Sequence, residues 1–274
     1  MILVASSSRD TAGVNIAEKM LKNSPFTKTI QTFQENFIYH AEINGKKIQF
    51  VTLKDEATYA QNLPEHFPNT ELIIFLSRHS SQSGKPTLSV HTPGNFVTAE
   101  LGGLPRTLSI APAAAMHDAL SALVRFKTEM KLTYEVSYEC THHGPSLNVP
   151  TMFVELGSSA QEWRDPEAAE VVAKSAFEAM ANFQSTNQPA VLGIGGPHYN
   201  AKFTKMSLEN NTLFGHMMPK YMLSNINTEI LQQCIEKTQE KVNQAVLDWK
   251  GITSQDKPKV LQALTETNLP YCKI

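Results

Sequence analysis

Histidines in this sequence gather in three short segments. Six of the nine lie within or beside residues 77–95, 141–146 and 195–216. Imidazole is a common zinc ligand, and a hydrolytic zinc site typically takes three protein ligands while leaving one position for water. The grouping predicts a metal-dependent hydrolase. We expect its zinc ligands among His79, His91, His142, His198 and His216.

The consecutive pair His142-His143 is the sharpest local feature. Side chains of neighbouring residues in an extended segment point in opposite directions, so we expect one imidazole to face the metal and the other to orient substrate or pack. Glu155 follows in the next strand and could complete the ligands or act as a general base. Catalytic roles are therefore predicted for His142, His143, Glu155 and His198. Surface or packing roles are predicted for His40, His66 and His117.

Ser146 lies three residues after His143 and is a candidate substrate-binding residue. A hydroxyl beside a histidine base could also act as a nucleophile, as in acyl-transfer hydrolases. The chain has no GxSxG elbow, and a serine after Gly-Pro is commonly a turn residue. Both interpretations of Ser146 remain open.

The glycine-rich run at 193–198 resembles an anion-binding loop. Amides of Gly195 and Gly196 could approach a phosphate or a carbonyl oxyanion closely, since no side chain intervenes. The run matches neither the GxxxxGK[ST] nor the GxGxxG pattern, so neither ATP nor NAD is predicted. A tight turn after a strand is the alternative.

Charge argues against a protein that wraps nucleic acid, because the net charge is −2. Two local stretches, 77–98 and 196–220, are nevertheless basic and overlap the histidine segments. From them we predict substrate contacts by Arg78, Ser80, Lys85, Lys202 and Lys220. Solvated loop charges are the alternative.

The three cysteines form no CxxC pair, which argues against a disulfide framework and a thiolate zinc knuckle. Any metal is therefore expected to use histidine and carboxylate. No apolar run approaches the roughly 18 residues of a membrane span, and no signal peptide is recognisable. We expect a cytoplasmic protein.

Apolar periodicity predicts strands that alternate with helices. Strands are expected at 1–5, 72–76, 88–91, 132–140, 152–156 and 190–194, with helices after residue 10 and at 113–130 and 165–183. Asn44-Gly45 predicts a hairpin turn. The pattern favours one α/β domain over 1–274, a three-layer αβα sandwich with a mixed, largely parallel sheet. A C-terminal helical appendage is predicted from about 227, running through Ile230 to Val246.

Several ordered motifs resemble one known family. They are SRHSSxSGxPxLxVHxPGN (77–95), THHGPS (141–146), PxxFVExGSxxxxWxD (150–165), GIGGxHY (193–199) and GHxxPKY (215–221). Together they resemble the D-aminoacyl-tRNA deacylases of archaea and plants, over almost the whole chain to about Leu264. Pro197 stands between GIGG and His198-Tyr199 as one departure from the pattern.

The resemblance implies hydrolysis of the ester that joins a D-amino acid to the 3′ end of tRNA. It also implies a zinc-associated monomer that recognises the acceptor end of tRNA and has a phosphorylase/hydrolase-like fold, with no DNA or membrane partner. A zinc-dependent peptidase or amidase on a related scaffold is one alternative. A non-catalytic module that binds RNA ends is the other.

Overall fold

The computed structural model describes residues 1–82 and 84–274. Its strands are β1 (Ile2–Ser7), β2 (Thr27–Phe33), β3 (Asn36–Ile43), β4 (Lys46–Leu53), β5 (Leu72–Arg78), β6 (Thr87–His91), β7 (Gly94–Asn95), β8 (Thr107–Leu108), β9 (Glu135–Tyr138), β10 (Thr151–Gly157), β11 (Ala190–Ile194), β12 (Leu213–Met218), β13 (Val242–Leu247) and β14 (Tyr271–Lys273). Its α-helices are α1 (Thr11–Asn23), α2 (Leu63–His66), α3 (Ala113–Glu129), α4 (Pro166–Asn182), α5 (Ala201–Asn210), α6 (Thr228–Glu236) and α7 (Lys257–Glu266).

The larger sheet has the strand order β2-β3-β4-β1-β5-β10-β6-β9. Strands β4, β1, β5 and β10 run parallel, β6 is antiparallel to β10, and β9 is parallel to β6. The hairpin predicted at Asn44-Gly45 joins β3 to β4, and both residues have the positive φ that a two-residue hairpin turn demands. A mixed, largely parallel sheet with flanking helices is confirmed.

The two faces of this sheet differ. Even-numbered residues such as Val4, Ile74 and Val154 face the core that α1, α3 and α4 cover. Odd-numbered residues such as Phe75 and Phe153 face the other side, where α2 and neighbouring loops cover a smaller apolar cluster. Because side chains alternate along a strand, polar residues at odd positions of β5, β6, β9 and β10 share this second face.

A second, parallel sheet has the order β12-β11-β13-β14. Phe214 and Met217 of β12 join the main core, so the helix layer containing α3 lies between the two sheets. Helices α6 and α7 cover the other part of the second sheet with their own apolar cluster.

The C-terminal region differs from the sequence prediction. The helix does begin after Asn227, whose side chain accepts a hydrogen bond from the Ile230 amide, but it ends at Glu236. The predicted helical positions Val242 and Val246 belong to β13, because this strand pairs through its backbone with β11 and β14. The helical spacing of apolar residues continues across 237–241 and gives no sign that the helix ends before them. Strands β2, β12 and β14 and helices α5 and α7 were also not predicted. Among the described residues, no helix is both long and apolar enough to cross a bilayer.

Candidate active site

A cavity of about 570 Å³ opens on the odd-numbered face of the larger sheet. Its walls come from the loops at 56–59 and 77–82 and from residues near the ends of β9, β10 and β11. The polar and aromatic lining includes Asp10, Arg78, His79, Ser80, His142, His143, Phe153, Glu155, His198 and Tyr199.

Strand register explains why these side chains meet. Glu155 of β10 pairs with Ser77 of β5 on one side and Ser89 of β6 on the other. Phe153, two residues earlier on the same face, pairs with His91, and their rings stack 5.0 Å apart at 6°. Glu155 and His91 therefore belong to neighbouring strands and lie on one face of the sheet.

Three imidazoles form one donor group: His91, His142 and His143. Their candidate ligand atoms all lie within 4.8 Å of one another. Nδ1 of His142 lies 2.7 Å from the Cys140 carbonyl oxygen, and Nδ1 of His143 lies 2.7 Å from that of Gly144. A carbonyl oxygen only accepts, so each Nδ1 carries the proton and each Nε2 keeps its lone pair.

The protonation of this group suits metal binding. Burial lowers the pKa of His142 well below its usual range and, with repulsion from His91, lowers the pKa of His143 to about 4. Both rings are therefore neutral at pH 7. Nε2 of His91 is buried and has no hydrogen-bond partner among the described residues. Three imidazoles, each held through Nδ1 and each presenting Nε2, are a donor set that fits zinc.

The loop that carries this pair is held by close backbone packing. A Cβ on Gly144 would lie 2.2 Å from the amide nitrogen of Gly103 and 2.6 Å from the carbonyl oxygen of Thr58. Its own amide donates to the Leu101 carbonyl at 3.0 Å. Only glycine permits this approach, which fixes His143 against the cavity.

Glu139 forms a second group with His79 and His198. Nε2 of His198 donates to Oε2 of Glu139 at 2.8 Å. Nδ1 of His79 lies 3.1 Å from Oε1, which makes an ion pair, although Oε1 has no aligned hydrogen-bond donor among the described residues. Burial opposes the charged carboxylate, but the hydrogen bond from His198 and the positive charge of His79 hold the pKa of Glu139 well below its ordinary value.

The two histidines around Glu139 are cationic. Burial alone lowers their pKa values, but the ion pairs with Glu139 and Glu155 raise the pKa of His79 to about 10. Contacts with Cys140 and Glu139 raise the pKa of His198 to about 10. The cavity therefore combines neutral and charged imidazoles, a separation typical of acid and base pairs in active sites.

Glu155 lies between the two groups. Its Oε1 accepts a hydrogen bond from Ser77 Oγ at 2.6 Å, and its Oε2 lies 3.6 Å from both His79 Nδ1 and His91 Nε2. Burial and the charge of Glu139 raise its pKa, but the neighbouring His79 and His91 imidazoles outweigh them and lower it to about 2. With His79 and Glu139 it forms a further set of possible metal ligands.

Tyr199 completes the wall beside His79. Its hydroxyl contacts His79 Nε2. Protonated His79 donates from that nitrogen, so the Tyr199 proton is available to another acceptor. Burial raises the pKa of Tyr199 to about 12, which keeps the hydroxyl protonated at neutral pH.

Several predicted residues do not join the cavity. His216 is 1% exposed, and its ring nitrogens lie 3.1 Å from Thr141 Oγ1 and 3.0 Å from the Lys237 carbonyl oxygen. These bonds engage both nitrogens, so His216 stands apart from the three donor groups.

Ser146 Oγ donates to the Thr107 carbonyl and accepts from the Leu104 amide, which favours the turn interpretation.

The predicted glycine and lysine contacts also lie elsewhere. The Gly195 amide donates to the Met218 carbonyl at 2.8 Å and is not free for an oxyanion; Gly196 has φ +80° in the same turn.

Lys202 Nζ lies 2.5 Å from Asp248 Oδ1, and Lys85 Nζ lies 3.5 Å from Glu135 Oε1. The Lys220 amide bonds the Gly196 carbonyl, and its side chain is exposed. Arg78 lines the cavity but pairs with Glu56 at 3.0 Å.

Three site residues escaped the sequence analysis: Glu139, Cys140 and Tyr199. The alternation of the 132–140 segment contained a signal, because Ser137 and Glu139 occupy the face opposite to Tyr138. Cys140 was set aside for lack of a CxxC pair, yet its Sγ lies 3.1 Å from His198 Nδ1. A single cysteine brought to a histidine by tertiary contact leaves no spacing pattern.

An α/β fold with a buried cavity of neutral and charged histidines, carboxylates and a tyrosine defines the class of a hydrolytic enzyme. Comparison with known proteins identifies the family. The family model for D-aminoacyl-tRNA deacylase matches residues 66–272. The chain belongs to the D-aminoacyl-tRNA deacylase family, as the motif resemblance predicted.

Individual relatives agree with this membership. A D-aminoacyl-tRNA deacylase of Thermococcus onnurineus is 36% identical over 100% of both chains. One from Ignicoccus hospitalis is 37% identical over 73% of this chain and 79% of its own. A crystal structure of a conserved protein of unknown function superposes with a TM-score of 0.88 at 31% identity, covering 100% of this chain and 95% of that one.

Proposed function

We propose that this chain hydrolyses the ester between a D-amino acid and the 3′ end of tRNA, releasing both, in the cavity on the sheet face. The observation that carries the proposal is the match to D-aminoacyl-tRNA deacylases over the full chain. The cavity supports it, because proton acceptors and cationic donors surround one space large enough for an aminoacyl ester.

Zinc is the cofactor we propose, with His91, His142 and His143 as its ligands. The lone pairs of the three Nε2 atoms and the unpartnered, buried His91 nitrogen support this choice. A bound zinc ion would polarise the ester carbonyl and lower the pKa of water. His143 thereby replaces His216 in the ligand set expected from the sequence, and His79 and His198 pair with Glu139 instead.

The remaining residues supply proton transfer and charge stabilisation. Glu155 is placed beside the three histidines to accept a proton from the attacking water. The hydroxyl of Tyr199, whose oxygen accepts from cationic His79, can donate to the oxygen that gains negative charge. Glu139 keeps His79 and His198 charged and oriented.

The proposed partner is the acceptor end of an aminoacylated tRNA, with neither DNA nor membrane. Such a substrate is made and used in the cytosol, which is the location we propose. We propose a monomer, as the resemblance to the family implies.

Purified protein incubated with D-tyrosyl-tRNA and L-tyrosyl-tRNA tests the function. We expect release of D-tyrosine at a rate at least about a hundred times that of L-tyrosine, since a chiral site built for one hand leaves polar groups unpaired with the other. Equal rates or no release would overturn the proposal. Cleavage of D-aminoacyl amides or peptides instead would identify a peptidase or amidase, and tRNA binding without turnover would identify an RNA-end binding module.

A further inference from the structure

The second sheet brings four loops or chain segments to one edge. Its strands are all parallel, so their carboxyl ends lie together. Gly195-Gly196 follows β11, Pro219-Lys220 follows β12, and Asp248 to Gly251 follows β13, while β14 ends at Lys273. Ligands of open parallel sheets commonly bind at such an edge.

These segments contact one another. The Lys220 amide donates to the Gly196 carbonyl at 2.8 Å. A Cβ on Gly251 would lie 2.9 Å from the Gly196 nitrogen, so the two loops pack backbone to backbone. The Trp249 amide donates to the Ile274 carbonyl at 3.3 Å. The edge is therefore one continuous surface.

Four lysines occupy this surface, and we call them the basic edge: Lys220, Lys250, Lys257 and Lys273. The ammonium groups of Lys273 and Lys257 lie 3.8 Å and 4.5 Å from the centre of the Trp249 ring, which concentrates both charges at one place. Within the part of the chain that the structure describes, none of the four forms an ion pair.

The nearby acidic side chains of the described residues form no ion pair with the basic edge. Asp248 is buried and paired with Lys202, and Asp256 accepts a hydrogen bond from Thr253. A group of uncompensated cations repels itself and therefore signals an anionic partner. By contrast, Lys205, which lines the 810 Å³ groove on the other side of Tyr199, lies 3.9 Å from Glu209.

The basic edge continues from the active site. Tyr221 follows Lys220, and its hydroxyl lies 2.9 Å from His198 Nδ1. The rings of Tyr221 and His198 are nearly parallel at 14°. His198 lines the cavity. An extended ligand that leaves the cavity over Tyr221 therefore reaches Lys220.

We infer that the basic edge binds the phosphate backbone of the tRNA acceptor arm while the 3′ end occupies the cavity. The inference rests on the proposed function for the identity of the anion. Lysine contacts with phosphates release condensed counterions, so they give affinity that is independent of base sequence and sensitive to salt. This explains how a chain of net charge −2 holds RNA at one place.

Binding of deacylated tRNA to two charge-matched double variants tests the inference. Lys250→Ala with Lys273→Ala removes two exposed cations of the basic edge, and Lys127→Ala with Lys205→Ala removes two from the groove. We expect the edge variant to bind tRNA about tenfold more weakly and to lower the slope of log K against log salt by about 2, with the groove variant unchanged.

Equal weakening in both variants, or weakening in the groove variant alone, would overturn the inference. Thermal unfolding of each variant shows whether the fold is intact. The binding assay needs no turnover, so its result is independent of the proposed reaction. If the wild-type protein binds tRNA through the basic edge but does not hydrolyse D-tyrosyl-tRNA, the proposed function fails and the inference stands.

Discussion

Nε2 of His198 lies 2.8 Å from Oε2 of Glu139, a carboxylate with 0% exposure that also contacts His79. One buried carboxylate thus fixes two cationic imidazoles that both line the cavity. A carboxylate can accept from both, whereas a neutral amide at the same place would present a donor to one of them.

Glu139→Gln is therefore expected to lower kcat for D-tyrosyl-tRNA by about a hundredfold or more, with a smaller change in KM. The amide removes the charge that keeps His79 and His198 protonated, so their imidazole signals in NMR spectra should titrate at lower pH. Glu135→Gln is the matched control, because Glu135 begins β9, the strand that Glu139 follows, but is exposed and pairs with Lys85. Comparable losses in both variants would contradict the role of Glu139.

Zinc content should depend on the three-histidine group. We expect wild-type protein to contain zinc by mass spectrometry of the metal, and His91→Ala to lose most of it, because His91 contributes a buried Nε2 with no other partner among the described residues. His216→Gln should retain zinc, since both nitrogens of His216 bond to protein oxygens. Zinc lost on changing His216 would favour the ligand set expected from the sequence, which includes His216. Zinc kept on changing His91 would contradict the three-histidine site.

His216 should make stability depend on pH. Burial lowers its pKa from 6.5 to about 4, so the unfolded state binds more protons between these values. The contribution of neutral, buried His216 to the free energy of unfolding is complete above pH 6.5. It is lost as the pH falls toward 4, by about 3 kcal/mol in total. Urea unfolding of wild type and His216→Gln should give free-energy curves that converge over this range. Curves that remain parallel would show that His216 does not titrate there.

Ser146→Ala separates a nucleophile from a turn residue. Loss of the hydrogen bonds with Thr107 and Leu104 should destabilise the protein by about 1 kcal/mol in chemical unfolding. Turnover of D-tyrosyl-tRNA should stay within a few-fold of wild type. Loss of activity by several orders of magnitude in a folded variant would restore Ser146 as a nucleophile.

The sequence was sufficient for much of the main sheet. The apolar run at 72–76 and the turn at Asn44-Gly45 encode their structures locally, and the observed strands and hairpin follow them. The second sheet was missed because β13 depends on pairing with β11, and β14 on pairing with β13, in each case with a partner that is distant in sequence. Helical spacing from Ile230 to Val246 carried no sign of the break at 237–241.

The site was predictable as a set of segments but not as a set of contacts. His79, His142, Glu155 and His198 reach one cavity. His216 satisfies its nitrogens through Thr141 and Lys237, a tertiary arrangement that residue type cannot reveal. Glu139 appeared as one polar residue in an alternating strand, and only strand register shows that it meets two histidines.

The most direct test compares single-turnover deacylation of D-tyrosyl-tRNA by wild-type protein, His143→Ala and His216→Gln. His143 lines the cavity and belongs to the three-histidine group, whereas His216 does not. We expect His143→Ala to slow release of D-tyrosine by about a hundredfold or more and His216→Gln to leave it within a few-fold of wild type. A His143→Ala protein as fast as wild type would contradict the placement of the reaction in this cavity.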